Sequence, residues 1–218
     1  MKIHSISLVN FRQYYGENTI NFATDKNHNL TVIHGLNGAG KTALLNSFAW
    51  ALYGVHNLPK AEPDYSRRAF AELPEGGTLE VRVCIVFEHD GDQYEVRRSK
   101  SVKKKDGREL WLSAQTNLSL TVKDVSGKTT LIKNPEDRIV QILPQEMQPY
   151  FFFDGEDINR LGDTKNVDYT EKIKKAIKNL MDISVIEHSI QHMNKVHRIF
   201  RQEVSGNGNT DIQKYGEE

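Results

Sequence analysis

Gly35-Leu36-Asn37-Gly38-Ala39-Gly40-Lys41-Thr42 fits the pattern G-x-x-x-x-G-K-[ST], and its flanks are the ones such a loop needs. Leu30-Thr31-Val32-Ile33-His34 before it is short, β-branched and suited to a buried strand. Ala43 to Leu52 after it reads as a helix with little polar surface, stopped by Gly54. Glycines let the backbone bend until successive N–H groups point inward, and the N-terminus of the next helix adds its positive end. The result is a nest for phosphate oxygens. In such a nest Lys41 brings a mobile charge to the β- and γ-phosphates, and the Thr42 hydroxyl ligates Mg²⁺. The sequence therefore predicts a nucleotide with Mg²⁺, cradled by Gly35, Asn37, Gly38, Ala39, Gly40, Lys41, Thr42 and Ala43.

The 218 residues suffice for one domain of good size or one and a half small ones. Lysine plus arginine and aspartate plus glutamate number 29 each, so charge balance implies no bulk attraction to polyanions and any nucleic-acid contact must be local. The single cysteine, Cys84, lies in the alternating run Leu79–Phe87 and is expected to pack in a sheet, in a reduced, cytoplasmic setting. No charged-then-apolar leader begins at Met1, and no apolar run approaches the roughly 18 residues of a membrane span, so no membrane partner is expected.

Lys2–Val9 and Asn18–Phe22, separated by a turn at Gly16, read as a hairpin. Between them Asn10-Phe11-Arg12-Gln13-Tyr14 sets an arginine among aromatics, which by itself is a solvated surface charge. Val55 to Gly77 shows no period and reads as a long surface loop. Thr78–Glu88 and Gln93–Ser99 alternate on either side of His89-Asp90-Gly91-Asp92, a strong hairpin signal, so this part of the sheet is antiparallel. The basic cluster Arg97, Arg98, Lys100, Lys103, Lys104, Lys105 and Arg108 follows, with Trp111 just beyond. It either tracks a phosphate backbone or keeps a hairpin tip solvated. Leu118–Val125 and Thr129–Ile132 form another predicted hairpin, and Pro135 to Leu143 a short helix with Glu136 and Asp137 in its first turn.

Tyr150-Phe151-Phe152-Phe153-Asp154-Gly155-Glu156 is the second informative stretch. Read as an apolar strand running into carboxylates, it puts Asp154 near the metal or the attacking water, although Gly155 separates Asp154 from Glu156. Read plainly, it is an aromatic core strand ending in a turn. From Asp168 the pattern turns helical: Ile173, Ile177 and Leu180, then Ile186, Ile190, Met193, His197, Phe200 and Val204. The second set steps alternately by four and three, as a coiled-coil seam or an ordinary amphipathic helix would. Gly206-Asn207-Gly208-Asn209 ends it. The expected division is a nucleotide-binding lobe over 1–182 and a coiled-coil start with a polar end over 183–218.

Asn10-Phe11-Arg12, Asn37–Thr42, Leu52-Tyr53-Gly54 and the aromatic run into Asp154-Gly155-Glu156, in this order, resemble the N-terminal half of the SMC-like ABC ATPases, the group of the SbcC-type repair ATPases. The Phe-Phe-Phe-Asp-Gly-Glu run looks most like the DndD-type ATPases of DNA phosphorothioation and the SMC-type ATPases of anti-phage systems such as Lamassu. The resemblance implies an α/β fold: a P-loop lobe with an antiparallel β subdomain leading into a coiled coil. It implies ATP and Mg²⁺ as cofactors, Arg12 reaching the nucleotide phosphates, and Lys41 and Asp154 in catalytic roles with Thr42 and Asp154 at the metal. Asp154 departs from the glutamine expected there. A signature motif, a Walker B strand with its glutamate and a switch histidine do not occur. The implied partners are a C-terminal ATPase lobe of the same protein, a second head, DNA and nuclease or modification-system proteins. The implied activity is ATP hydrolysis by paired heads, with little turnover by the 218-residue chain alone. The alternative is a non-hydrolysing clamp switched by nucleotide occupancy. A small P-loop kinase is disfavoured, because the helix after Thr42 leads to antiparallel hairpins and not to alternating βα units.

Overall fold

The computed structural model describes residues 1–56 and 62–152, and helical residues 189–190, 192–198 and 200–201. Two compact units, Met1–Ile158 and Asn159–Glu218, divide the chain. In the first, strands β1 (Lys2–Val9), β2 (Glu17–Asn21), β3 (Thr78–His89), β4 (Asp92–Lys105), β5 (Arg108–Trp111), β6 (Asn117–Lys123) and β7 (Thr129–Leu131) build one antiparallel sheet. Its order is β2-β1-β3-β4-β6-β7, with β5 on the far half of β4. Two of its hairpins turn on Asp-Gly pairs with both φ angles positive, Asp90-Gly91 (52° and 87°) and Asp106-Gly107 (51° and 70°). Such turns match the twist of the strands they join.

Alternation puts Ile6 and Leu8 of β1, Val81, Val83, Ile85 and Phe87 of β3, Val96 and Val102 of β4 and Leu120 of β6 on one buried face. Helix α1 (Lys41–Tyr53) lies against β3 and β4, burying Ala43, Leu44, Phe48, Trp50 and Leu52 among other residues. Each large apolar side chain so buried contributes about 1.5–3 kcal/mol. Trp50 meets Phe11 at 5.3 Å between ring centroids, which ties the segment after β1 to the helix. Helices α2 (Arg67–Glu72), α3 (Pro135–Ile142) and α4 (Gln148–Phe151) complete the described elements of this unit, with a single 3₁₀ turn at Gln145–Met147.

The mixed α/β character and antiparallel sheet agree with the sequence. Four local expectations do not. Leu30–His34 is not a strand: the segment is irregular, and Leu30 and Val32 are each 79% exposed. β-branched residues favour a pleated surface only when a neighbour supplies the ladder, and among the described residues none pairs with this segment. Within Val55–Gly77 the chain forms α2, capped where Ser66 Oγ accepts the Ala69 N–H at 3.5 Å. Six residues are too few to show a period. The aromatic run begins as α4 and not as a strand, since a proline in its first turn suits a helix start, and Phe152 then stacks on Phe48 at 5.4 Å. Strand β5 emerges from what read only as a basic cluster.

In the second unit the helical residues carry Ile190, Met193 and Phe200 of the proposed seam, all exposed, and a coiled coil is not shown. Phe153 to Glu156, with Asp154, and Ile173, Ile177, Leu180, Ile186 and Val204 lie outside the described residues.

Candidate nucleotide site

Gly40 caps α1 with φ 98°, and no side chain caps the helix N-terminus or adds an acid to its first turn. The first N–H groups of a helix lack partners within it, so this end is open to an anion. A Cβ at Gly40 would also sit 3.3 Å from the ring of Tyr14, whose hydroxyl donates to the Gly40 carbonyl at 3.2 Å. Tyr14 thus holds the point where loop becomes helix. Lys41 folds back over the loop and donates to the carbonyls of Gly35 (2.7 Å) and Leu36 (2.9 Å). A cavity of about 360 Å³ in front of the helix is lined by Asn37, Gly38, Gly40, Lys41, Thr42 and Ala43 from the loop side and by Arg12, Gln13 and Glu62 from the other. The donor set, an uncapped helix end with two cations and a hydroxyl, fits a polyphosphate with a divalent ion. There Thr42 and the phosphate oxygens would hold Mg²⁺, as that ion prefers.

Arg12 is not the solvated charge its neighbours in sequence suggest; its side chain is 3% exposed. Asn10 and Arg12 both take positive φ (51° and 53°), a conformation that asparagine tolerates and that costs an arginine about 1–2 kcal/mol. A second segment holds them there. Arg12 N–H donates to the Asp64 carbonyl (2.8 Å), Ser66 N–H to the Asn10 carbonyl (2.7 Å), and Phe11 bridges to Tyr65. Arg12 Nη2 lies 3.2 Å from Asp64 Oδ1 and Nη1 3.6 Å from Glu62. His56 Nε2 meets the same Asp64 oxygen at 2.9 Å. Burial pushes the Asp64 carboxyl up, yet the His56 hydrogen bond and the charges of His56, Arg12 and Lys100 outweigh it and hold it below its ordinary range. Asp64, Glu62, His56 and Tyr14 were not legible as site residues, because nothing marks a carboxylate in an aperiodic loop until the fold brings it to an arginine.

The basic cluster is divided by the alternation of β4. Arg98 is buried and donates to the Ala51 (3.0 Å) and Leu52 (3.2 Å) carbonyls at the end of α1 and to Thr116 Oγ1 (2.7 Å). Lys104 caps α2 through the carbonyls of Phe70, Ala71 and Leu73. Lys100 lies 4.5 Å over the Trp111 ring. Arg97 pairs with Glu95, and Lys103, Lys105 and Arg108 remain at or near the surface.

The sequence pattern of a family described as an AAA domain matches residues 5–214. The chain belongs to the AAA domain family. The DNA double-strand break repair Rad50 ATPase of Halobacterium salinarum is 34% identical over 98 residues, which cover 45% of this AAA domain chain and 10% of that protein. The chain therefore spans about a tenth of the length of that curated relative. The two matches support the SMC and SbcC-like ATPase superfamily at which the sequence motifs aimed.

Proposed function

We propose that this chain is the ATP-binding N-terminal lobe of an SMC-like head that, paired with a C-terminal lobe and a second head, hydrolyses ATP while acting on DNA. The observation that carries this reading is the shared cavity in which the open N-terminus of α1, Lys41 and Thr42 face Arg12. Arg12, Gly35, Asn37, Gly38, Ala39, Gly40, Lys41, Thr42 and Ala43 hold the nucleotide in this reading, Thr42 with Asp154 holds Mg²⁺, and Lys41 with Asp154 serves the chemistry. The uncovered Leu30, Val32 and Ile33 support a further lobe, since they have the composition of a core strand without its neighbours. Kinship with the DndD-type and Lamassu-type ATPases rests on the Phe-Asp-Gly-Glu run, and so does the proposed setting in DNA modification or anti-phage defence; a setting in repair rests on the whole motif set and on the likeness to the Rad50 ATPase. A nuclease or modification-system partner belongs to the same proposal.

The test is phosphate release by the full-length protein. Turnover that rises faster than linearly with protein concentration and vanishes in Lys41→Ala supports a paired-head ATPase. Tight, Lys41-dependent ATP binding without release favours the non-hydrolysing clamp. ATP affinity undiminished by Lys41→Ala removes both.

A further inference from the structure

Two carboxylates touch the Arg12 guanidinium, and they differ in every respect that decides which one yields. Asp64 lies 3.2 Å from Nη2 and is 26% exposed, while Glu62 lies 3.6 Å from Nη1 and is 51% exposed. The Asp64 oxygen is fixed from its other side by His56 Nε2 at 2.9 Å, and its own carbonyl accepts the Arg12 N–H at 2.8 Å. The two also differ in which cavity they reach. Glu62 lines both the cavity in front of α1, together with Lys41 and Thr42, and the larger cavity of about 860 Å³ beside it; Asp64 lines the larger one and does not reach the cavity in front of α1.

Resting on the nucleotide reading above, we infer that Asp64 is a positioning residue that anchors Arg12 toward the phosphate site, and that Glu62 is a place-holder which the entering phosphate displaces from Nη1. A phosphate oxygen offers the guanidinium the same charge and acceptor geometry as a carboxylate. Exchange therefore occurs at the long, solvent-screened contact facing the cavity, whereas the short contact braced by His56 persists. The two acidic residues thus act in opposite senses on one arginine. A uniform field effect predicts otherwise: removing either negative charge near a polyanion would tighten binding. A purely architectural role predicts that losing Asp64 weakens all nucleotides alike.

The test uses the full-length protein with Mg²⁺ and the fluorescent probes MANT-ATP and MANT-ADP. Asp64→Asn is expected to weaken MANT-ATP about tenfold, the scale of one charge-assisted hydrogen bond, and MANT-ADP clearly less. Glu62→Gln, at a half-exposed position, is expected to tighten MANT-ATP severalfold. Arg12→Ala should weaken MANT-ATP as well, and adding Asp64→Asn to it should cost nothing more, because the anchor has nothing left to hold. Asp64→Asn that tightens MANT-ATP or leaves it unchanged, an equal loss for both probes, or Glu62→Gln that weakens MANT-ATP each overturns the assignment. If Lys41→Ala abolishes MANT-ATP binding while the two acidic variants behave alike, this inference fails and the nucleotide site stands. If Lys41→Ala changes nothing, both fall.

Discussion

Replacing Gly54 by alanine tests how the end of α1 is built. Gly54 closes the helix in the left-handed region (φ 72°, ψ 11°), with its N–H bonded to the Trp50 carbonyl at 2.9 Å. An alanine there bears about 1–2 kcal/mol of backbone strain. Its Cβ would also stand 3.0 Å from Arg98 Nη1 and 3.4 Å from Cζ. That guanidinium cannot swing aside cheaply, since Nη1 is 2.7 Å from Thr116 Oγ1 while Nε and Nη2 hold the Ala51 and Leu52 carbonyls. Weakening one such charge-assisted bond costs about 1.5–3 kcal/mol. The sum is about 2.5–5 kcal/mol, or a fall in Tm of roughly 5–20 °C for a chain of this size. Denaturant unfolding of Gly54→Ala in the Arg98 and Arg98→Met backgrounds separates the parts. With Arg98 gone, only the strain of about 1–2 kcal/mol should remain, giving a coupling above 1 kcal/mol. Gly54→Asn, which tolerates the dihedral but keeps the Cβ, should lie between glycine and alanine. An alanine cost under 1 kcal/mol, or the same cost in both backgrounds, refutes the proposed contact.

If Lys103 and Lys105 follow a DNA backbone, neutralising both should lower the salt-dependence slope by up to about two units on any sequence, while the same change at Lys104 should instead lower Tm through loss of the α2 cap. A slope equal to the parent's returns both residues to a solvated edge. Burial, then the charge of Glu95, pushes the Cys84 thiol up to about 11, so its alkylation rate should rise tenfold per pH unit through pH 9 and level off near 11. A plateau near pH 9 would show an ordinary thiol. Asp64, with its carboxyl held below its ordinary range by His56, Arg12 and Lys100, contributes stability that is present above that ordinary range and lost as pH falls through the lower folded value. Asp64→Asn should therefore be less stable than the parent near neutrality, and the difference should shrink as pH falls below the ordinary carboxylate range, as followed by urea midpoints against pH. A constant difference at all pH values would deny the linkage.

The elements legible in the sequence were those with a local signature. Asp90-Gly91 between alternating runs specified the β3–β4 hairpin, Pro135 with two acids specified α3, and Gly54 stopped α1 as expected, with the expected Ala43–Leu52 lying inside it. What failed depended on neighbours that no local pattern encodes. Leu30–His34 has the residues of a core strand but no partner among the described strands. The cluster from Arg97 to Arg108 was read as one surface feature, yet a strand period of two sends Arg98 under the end of α1 while Arg97 faces away. At the candidate site the loop could be read residue by residue. The carboxylates on Arg12 could not, because Asp64 reaches it across more than fifty positions of chain.

Arg98 and Tyr14 have a mechanical consequence when taken together. Tyr14 grips the first turn of α1 at Gly40, and Arg98 grips its last carbonyls, so the helix is fastened at both ends to the sheet and its turn. A rod pinned at both ends transmits load but does not tilt on its own. Compliance near the candidate nucleotide cavity must then reside in the chain that leads into the glycine loop and in the start of that loop, where Leu30, Val32 and Leu36 lie in solvent. Amide exchange should accordingly be slow along Leu44–Leu52 and fast from Leu30 to Leu36, so that anything covering the latter stretch sets the stiffness of the whole site.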